Sequence, residues 1–275
     1  MTPTRARIGL AGWSEAVSKH RGYFPGTGSG LARYAETFDM VEVNASFYRA
    51  VRAETFASWA DQTPEDFRFS VKINRAITHA ARLSANAKLE QALEPMMSLG
   101  PKLAAVLIQL PPTLARDPER DAAFLARLRG IYDGMVAWEP RHASWDEPEA
   151  VTLLAEHGVT LVRTEIPEAQ SPHPESGAYV RLHGTPRRYY SAYSPADLAA
   201  LATWLRATPP PTITIFDNTA SSAGVRNALE LVDLMAEAVP RPRAWRGARA
   251  RLRVPRSRRR CTTAPRRRVP AGRSV

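Results

Sequence analysis

Short apolar runs recur along the chain, and most of them end on polar residues. Val41-Glu42-Val43-Asn44, Phe69-Ser70-Val71-Lys72, Val106-Leu107-Ile108-Gln109 and Tyr179-Val180-Arg181-Leu182-His183 are examples, and Glu139-Pro140-Arg141-His142 and Asp217-Asn218 close two more. The runs predict eight strands, at 8–13, 40–47, 67–73, 104–110, 134–139, 159–164, 178–183 and 212–217. Helix-period patterns lie between them, at Leu31–Phe38, Ala53–Asp61, Ala87–Leu99, Asp117–Ile131, Glu147–His157, Pro195–Ala207 and Ala223–Ala238. Asp117-Pro118, Asp146 with Pro148 just inside, and Ser194-Pro195 with Asp197 supply start signals for three of these helices.

Strands alternating with helices imply βαβ units and a parallel sheet. After the sixth strand, Glu165–Gly177 carries Pro167, Pro172 and Pro174 and reads as an irregular loop in place of a helix. Eight strands with seven helices favour a single closed (β/α)8 TIM barrel over an open doubly wound sheet. No Gly-x-Gly-x-x-Gly follows the first strand. Gly26-Thr27-Gly28-Ser29-Gly30 comes later and reads as a loop turn rather than a phosphate cradle.

A strand presents alternate residues to opposite faces, so Glu42/Asn44, Glu139/Arg141 and Arg181/His183 are same-face pairs. Such a polar row on the inner face describes the C-terminal mouth of a parallel barrel, where the active sites of that fold sit.

Charge sharpens the domain boundary. The chain has a formal net charge of +11, but Val239–Val275 holds 14 Arg and no acid. Removing those 14 from the 38 basic residues leaves 24 against 27 acids, a net of −3 for 1–238. The expected organisation is a barrel domain at 5–238 followed by a disordered Arg/Pro-rich tail at 239–275, which lacks a periodic apolar face. The tail reads as a non-functional end, of the kind a frameshift or readthrough in a GC-rich gene produces, in preference to a basic arm for nucleic-acid phosphates, since only Trp245 accompanies its arginines. Nucleic acid is therefore not an expected partner except through the tail. The single cysteine, Cys261, excludes an intramolecular disulfide and a Cys-based zinc site. No apolar stretch is long enough for a signal-peptide core or a membrane span, so a cytoplasmic location without a membrane partner is expected.

Candidate chemistry follows from the inner-face residues. Glu42 and Glu139 could act as acid and base or as nucleophile and acid; as structural groups they would be neutralised by Lys72 and Arg141. Lys72 could serve as a general base or a Schiff-base amine if desolvation and arginine neighbours lowered its pKa. Arg141 and Arg181 could clamp a phosphate or carboxylate, because Glu139 satisfies only part of their donor demand. His183 could shuttle protons, with His142 and His79 as possible companions, and Glu42, Glu139, His142 and His183 could hold a hard or borderline divalent metal. Trp13, Tyr48, Trp145, Tyr189, Tyr190 and Tyr193 lie at or past strand ends, where they could stack on a sugar ring or simply cap the core. No Gly-x-Ser-x-Gly elbow surrounds Ser144 or Ser191.

The ordered set of motifs resembles a known family. Val41-Glu42-Val43-Asn44-Ala45-Ser46-Phe47-Tyr48 is similar to the E-x-N-x-[ST]-F-Y signature of the YecE-like family, a domain of unknown function. Gly12-Trp13, Thr78-His79, Gln109-Leu110-Pro111-Pro112, Glu139-Pro140-Arg141-His142, Arg181-Leu182-His183-Gly184 and Phe216-Asp217-Asn218-Thr219 follow in family order, over roughly residues 8–236. The resemblance implies a TIM barrel with a polar pocket at its strand ends but supplies no reaction. Asp217 departs from the Asn of many relatives, and the tail lies outside the pattern. The expected function is an enzyme of hydrolase or lyase type on a small anionic or sugar-like substrate. Glu42, Lys72, Glu139 and His183 are the acid–base candidates, and Trp13, Asn44, Tyr48, Gln109, Arg141, His142, Arg181 and Asn218 the binding candidates. The alternative is a non-catalytic module that binds a metabolite or nucleic-acid fragment in the same pocket.

Overall fold

The computed structural model describes residues 6–168, 171–174 and 177–237. The Arg/Pro-rich segment 239–275 and the outermost residues of the predicted domain lie outside these. Eight parallel strands run β1 (Arg7–Ala11), β2 (Met40–Val43), β3 (Arg68–Lys72), β4 (Leu103–Gln109), β5 (Met135–Glu139), β6 (Thr160–Leu161), β7 (Ala178–Leu182) and β8 (Thr212–Phe216). Their order is β6-β5-β4-β3-β2-β1-β8-β7. A bridge between Arg163 and Val180 brings β6 to β7, with Arg163 N–H donating to Tyr179 O (2.9 Å) and Arg181 N–H to Arg163 O (2.8 Å). The result is a nearly closed (β/α)8 TIM barrel. β1 approaches β2 so closely that a Cβ on Gly9 would stand 2.1 Å from Met40 O, which requires glycine there.

The helices around the barrel are α1 (Ser14–Lys19), α2 (Gly30–Ala35), α3 (Ala45–Tyr48), α4 (Ala53–Asp61), α5 (Leu89–Leu93), α6 (Pro118–Ile131), α7 (Pro148–Glu156), α8 (Pro195–Ala207) and α9 (Ala223–Glu237). Two predicted starts form as the sequence implies. The Asp117 carboxylate accepts from Arg120 N–H, and Ser194 and Asp197 make a reciprocal capping box. The third is displaced, because Glu147 rather than Asp146 precedes α7 and gives no side-chain cap.

Other boundaries differ for physical reasons. The predicted strand 40–47 stops at Val43, because the Ser46 hydroxyl donates to Val43 O and Lys72 O and turns the chain into α3. The predicted helix Ala87–Leu99 divides into α5 and the 3₁₀ turns of Glu94–Lys102, which break at Gly100 (φ 55°) before Pro101. After β6, the described residues of the proline-rich loop contain no helix, as expected.

Alternation along the strands divides the core. Outward residues such as Val41, Phe69, Val106, Val180 and Phe216 pack under the helices. Inward, Met40, Ala105, Leu107, Ala137, Tyr179, Ile213 and Ile215 fill the lower barrel. Two residues further along the same strands stand Glu42, Gln109, Glu139, Arg181 and Asp217, so the barrel changes from apolar to ionic between successive inward positions.

Candidate active site

Arg181 is the centre of the ionic layer and is only 2% exposed. Its Nε donates to both Glu42 oxygens (3.1 and 3.0 Å) and Nη2 to Glu42 Oε1 (2.9 Å). Nη1 donates to Glu139 Oε2 (3.2 Å), and Nη2 lies 3.1 Å from Asp217 Oδ2. One guanidinium on β7 thus gathers carboxylates from β2, β5 and the end of β8. Burial alone would depress its pKa, but Glu42, Asp217 and Glu139 raise it well above the ordinary value.

Arg181 therefore keeps fewer donors for an external anion than pairing with Glu139 alone would leave. Three acids, rather than Glu139 alone, occupy four of its five N–H groups. Glu42 likewise takes its countercharge from Arg181 rather than Lys72, and also accepts from Tyr179 Oη (2.9 Å) and Asn44 Nδ2 (3.0 Å). Arg141 differs. It shares one Glu139 oxygen through Nε and Nη2 (3.2 and 3.0 Å) and keeps a quarter of its side chain exposed, with Nη1 uncommitted among the described residues.

Glu139 is buried and also accepts from Gln109 Nε2 (2.8 Å). Burial pushes its pKa up, yet Arg181, His183 and Arg141 outweigh that and hold the carboxyl far below the usual range. Burial likewise raises and Arg181 and His183 lower the Asp217 pKa, for a net fall. His183 is 5% exposed; its Nδ1 meets Asp217 Oδ2 at 2.8 Å, while its Nε2 stands 3.5 Å from Glu139 Oε1 without a formed hydrogen bond. Asp217 therefore orients the imidazole and leaves Nε2 as the chemically available nitrogen. Beyond β7, Gly184 (φ 88°) turns the chain so that Tyr189 lies edge-to-face on His183, with centroids 5.7 Å apart.

Lys72 is 7% exposed and, among the described residues, its Nζ makes neither a hydrogen bond nor an ion pair. Its Nζ sits 4.1 Å over the Phe47 ring, which also meets Tyr48 (5.0 Å) and His79 (5.1 Å) edge-to-face. His79 ends up there because the chain makes a π-helical turn at Ala76–Ala80, where Thr78 Oγ1 and His79 Nδ1 are 2.8 Å apart. Burial, and next the Arg181 charge, lower the Lys72 pKa to about 8, with Glu42, Glu139 and Asp217 opposing.

The structure thus brings together Glu42, Asn44, Lys72, Gln109, Glu139, Arg141, Arg181 and His183. It does not bring in Asn218, whose amide donates to Ser191 O and Asn227 Oδ1 behind the barrel wall. Period-2 counting from Ile213 and Ile215 identifies Asp217, not Asn218, as the inward residue, and the same counting gives the overlooked Tyr179 and Ser70, which are hydrogen bonded to each other (2.8 Å). His142 turns its Nδ1 to Ser144 Oγ (2.9 Å) rather than to the cluster. Trp13 packs on Trp59 in a cleft of about 250 Å³ that reaches the cluster through Asn44. Tyr48 is 73% exposed and borders a separate depression. Trp145 and Tyr193 are core residues. Among the described residues no group of three or more His, Cys, Asp or Glu side chains is arranged to hold a metal ion. No helix among them is long and apolar enough to cross a membrane.

Comparison with known proteins agrees with this architecture. The chain belongs to the family described as protein of unknown function DUF72, whose model matches residues 7–249. It is similar to the UPF0759 protein YunF of Bacillus subtilis, with 35% identity over 150 residues, covering 51% of this chain and 52% of that protein. It is also similar to the UPF0759 protein YecE of Escherichia coli K12, with 30% identity over 178 residues, covering 62% and 63%. The chain thus spans about half to just under two thirds of the length of these curated relatives. A DUF72 family protein from Enterococcus faecalis has the same fold (TM-score 0.69, 24% identity, 86% of this chain and 97% of that one). So does one from Thermotoga maritima (TM-score 0.68, 24% identity, 84% and 99%).

Proposed function

We propose that this protein is an enzyme of the lyase or hydrolase type that acts on a small anionic or sugar-like molecule at the C-terminal mouth of the barrel. The observation that carries the reading is the division of labour among the charged groups. Glu42, Glu139 and Asp217 are committed to Arg181, whereas Lys72 Nζ and His183 Nε2 reach the same layer without a hydrogen-bond partner. A barrel built for stability alone would fill these positions with branched apolar side chains. Uncommitted basic nitrogens beside a fixed charge network are instead suited to moving protons on a bound substrate.

In this reading His183 is the acid–base group, oriented by Asp217, and Lys72 is a second base or a nucleophile. Glu42 and Glu139 serve as fixed charges that set the potential around them rather than as mobile acids. Arg141, with Nη1 to spare, receives an anionic substituent, and Asn44 and Gln109 orient the rest. The test is incubation of the full chain with a pool of small phosphorylated, carboxylated and sugar metabolites, followed by mass spectrometry of the supernatant. Loss of one compound and gain of another, abolished in His183→Asn, supports the enzyme. Ligand-dependent stabilisation with no conversion would make it a binding module instead.

A further inference from the structure

We propose that Lys72 is an amine nucleophile that forms an imine with the carbonyl group of an aldehyde or ketone substrate. The inference rests on the enzyme reading above and narrows its substrate class to carbonyl compounds.

Three geometric facts support it. The lysine is only 7% exposed, yet among the described residues no oxygen accepts from its ammonium, although three carboxylates lie in the same layer. A structural lysine at such a position would be expected to end on one of those acids, because an unpaired buried charge is costly. Here Arg181 takes all three, and Lys72 is left with the face of Phe47. Further, Ser46 Oγ grips Lys72 O (2.7 Å) and the Asn74 amide grips Ser46 O (2.9 Å), so the strand end that carries the lysine is fixed. Finally, the groups around it can move the protons that imine formation needs: His183 Nε2 lacks a partner, and His79 shares the Phe47 ring with Lys72.

The electrostatics agree. Arg181, Glu42, Glu139 and Asp217 from four other strands act on Lys72, and Lys72 in turn acts on His79, as Arg75 and Arg141 do. With a pKa of about 8, roughly a quarter of the amine is unprotonated at pH 7.5, against about one part in a thousand for an ordinary lysine. In the step itself, the free amine attacks the carbonyl carbon and the oxygen takes up a proton. The nitrogen then loses a proton, and the hydroxyl leaves as water after a second protonation, giving a C=N bond. Water reverses the sequence, so neither oxidant nor reductant is consumed.

Reductive trapping tests this directly. The chain contains four lysines, Lys19, Lys72, Lys88 and Lys102, so three serve as internal controls. The full chain is incubated at pH 7.5 with glycolaldehyde, dihydroxyacetone, their phosphates or pyruvate, reduced with borohydride, digested and mapped by mass spectrometry. The expected result is a reduced adduct on the Lys72 peptide at least ten-fold above exposed Lys88, falling as the pH is lowered from 8 to 6. Lys72→Arg keeps the charge and should lose the adduct without unfolding, which circular dichroism checks. Labelling of Lys72 no faster than Lys88 with every compound overturns the inference. If metabolite conversion is found and borohydride with substrate leaves it intact, the imine is wrong while the enzyme reading stands. If Lys72 is labelled selectively but no metabolite is converted, the imine site is supported and the enzyme reading fails.

Discussion

Replacing Arg181 with methionine should destabilise the fold strongly, and the loss should depend on pH in a direction opposite to ordinary acid sensitivity. The guanidinium is 2% exposed and within 3.2 Å of oxygens from Glu42, Glu139 and Asp217. Removing one partner of a buried pair costs about 3–5 kcal/mol, because the other charge is left without compensation. Here three carboxylates lose their common cation, so at least about 4 kcal/mol is expected at pH 7.5, a large part of the roughly 5–15 kcal/mol that holds a domain together. In urea this is a midpoint drop of more than about 1 M, for a slope of about 3 kcal/mol per molar. In the native protein the Glu139 and Asp217 pKa values are depressed, so their stabilisation is present above the unfolded values near 4.5 and 3.8 and is lost as pH falls through the folded ones. Without Arg181, burial and mutual repulsion raise both pKa values above the unfolded ones. The folded variant then binds more protons than the unfolded chain and gains stability as pH falls from 8 to 5. Urea titrations of both proteins at pH 5, 6.5 and 8 measure this. Adding Glu42→Gln to the variant removes one surplus charge and should restore part of the loss at pH 8. A difference under about 1 kcal/mol, or one that does not change with pH, would refute the idea that the guanidinium holds these acids in their charged state.

Lys72→Met should stabilise the protein at pH 7 by up to about 3 kcal/mol, from a depression of its pKa from 10.5 to about 8. For a base lowered in the folded state the cost is present below about pH 8 and disappears as pH rises to the unfolded value, so the gap between variant and native protein should close between pH 8 and 10.5; a variant that melts lower at pH 7 contradicts this. Asn218→Ala should cost about 1–3 kcal/mol, since its amide ties Ser191 O and Asn227 Oδ1 behind the wall, and should leave the reductive labelling of Lys72 unchanged. A loss of labelling with no loss of melting temperature would put Asn218 in the pocket after all.

Much of the architecture was legible because it depends on periodicity. Alternation located the strands, and Pro and Asp or Ser start signals located α6 and α8 to within a residue. The ends of elements were less legible where a side chain from elsewhere intervenes, as Ser46 does when it captures Lys72 O and ends β2. The inward row was legible for the same reason as the strands: Glu42, Lys72, Glu139, Arg181 and His183 each fall on the inner parity of their strand. Asp217 is readable by that rule as well, since it continues the inward parity of Ile213 and Ile215, whereas Asn218 falls on the other face. Pairing was a different matter. Which cation neutralises which acid depends on the reach of a side chain across the barrel, and Arg181 spans from β7 to carboxylates on β2 and β5 whose positions are 139 and 42 residues away. Nothing local in the sequence encodes that choice, nor the π-helical turn that carries His79 to Phe47.

The pairing pattern also determines which residues can be reactive. A buried network of acids around one arginine is not a route to stability, because apolar residues of similar volume commonly do as well or better. Its consequence here is positional. With Glu42, Glu139 and Asp217 all bound to Arg181, Lys72 lies in a layer of balanced charge without a ligand of its own, and the potential of the arginine adds to burial in favouring its neutral form. Had Lys72 paired with Glu42, its amine would have been held protonated and inert. The same arginine that closes off three carboxylates as acids therefore makes the neighbouring amine available. For this reason Arg181→Met and Lys72→Arg should both abolish imine trapping, the first by freeing carboxylates that pair with Lys72 and hold it protonated, the second by removing the nucleophile.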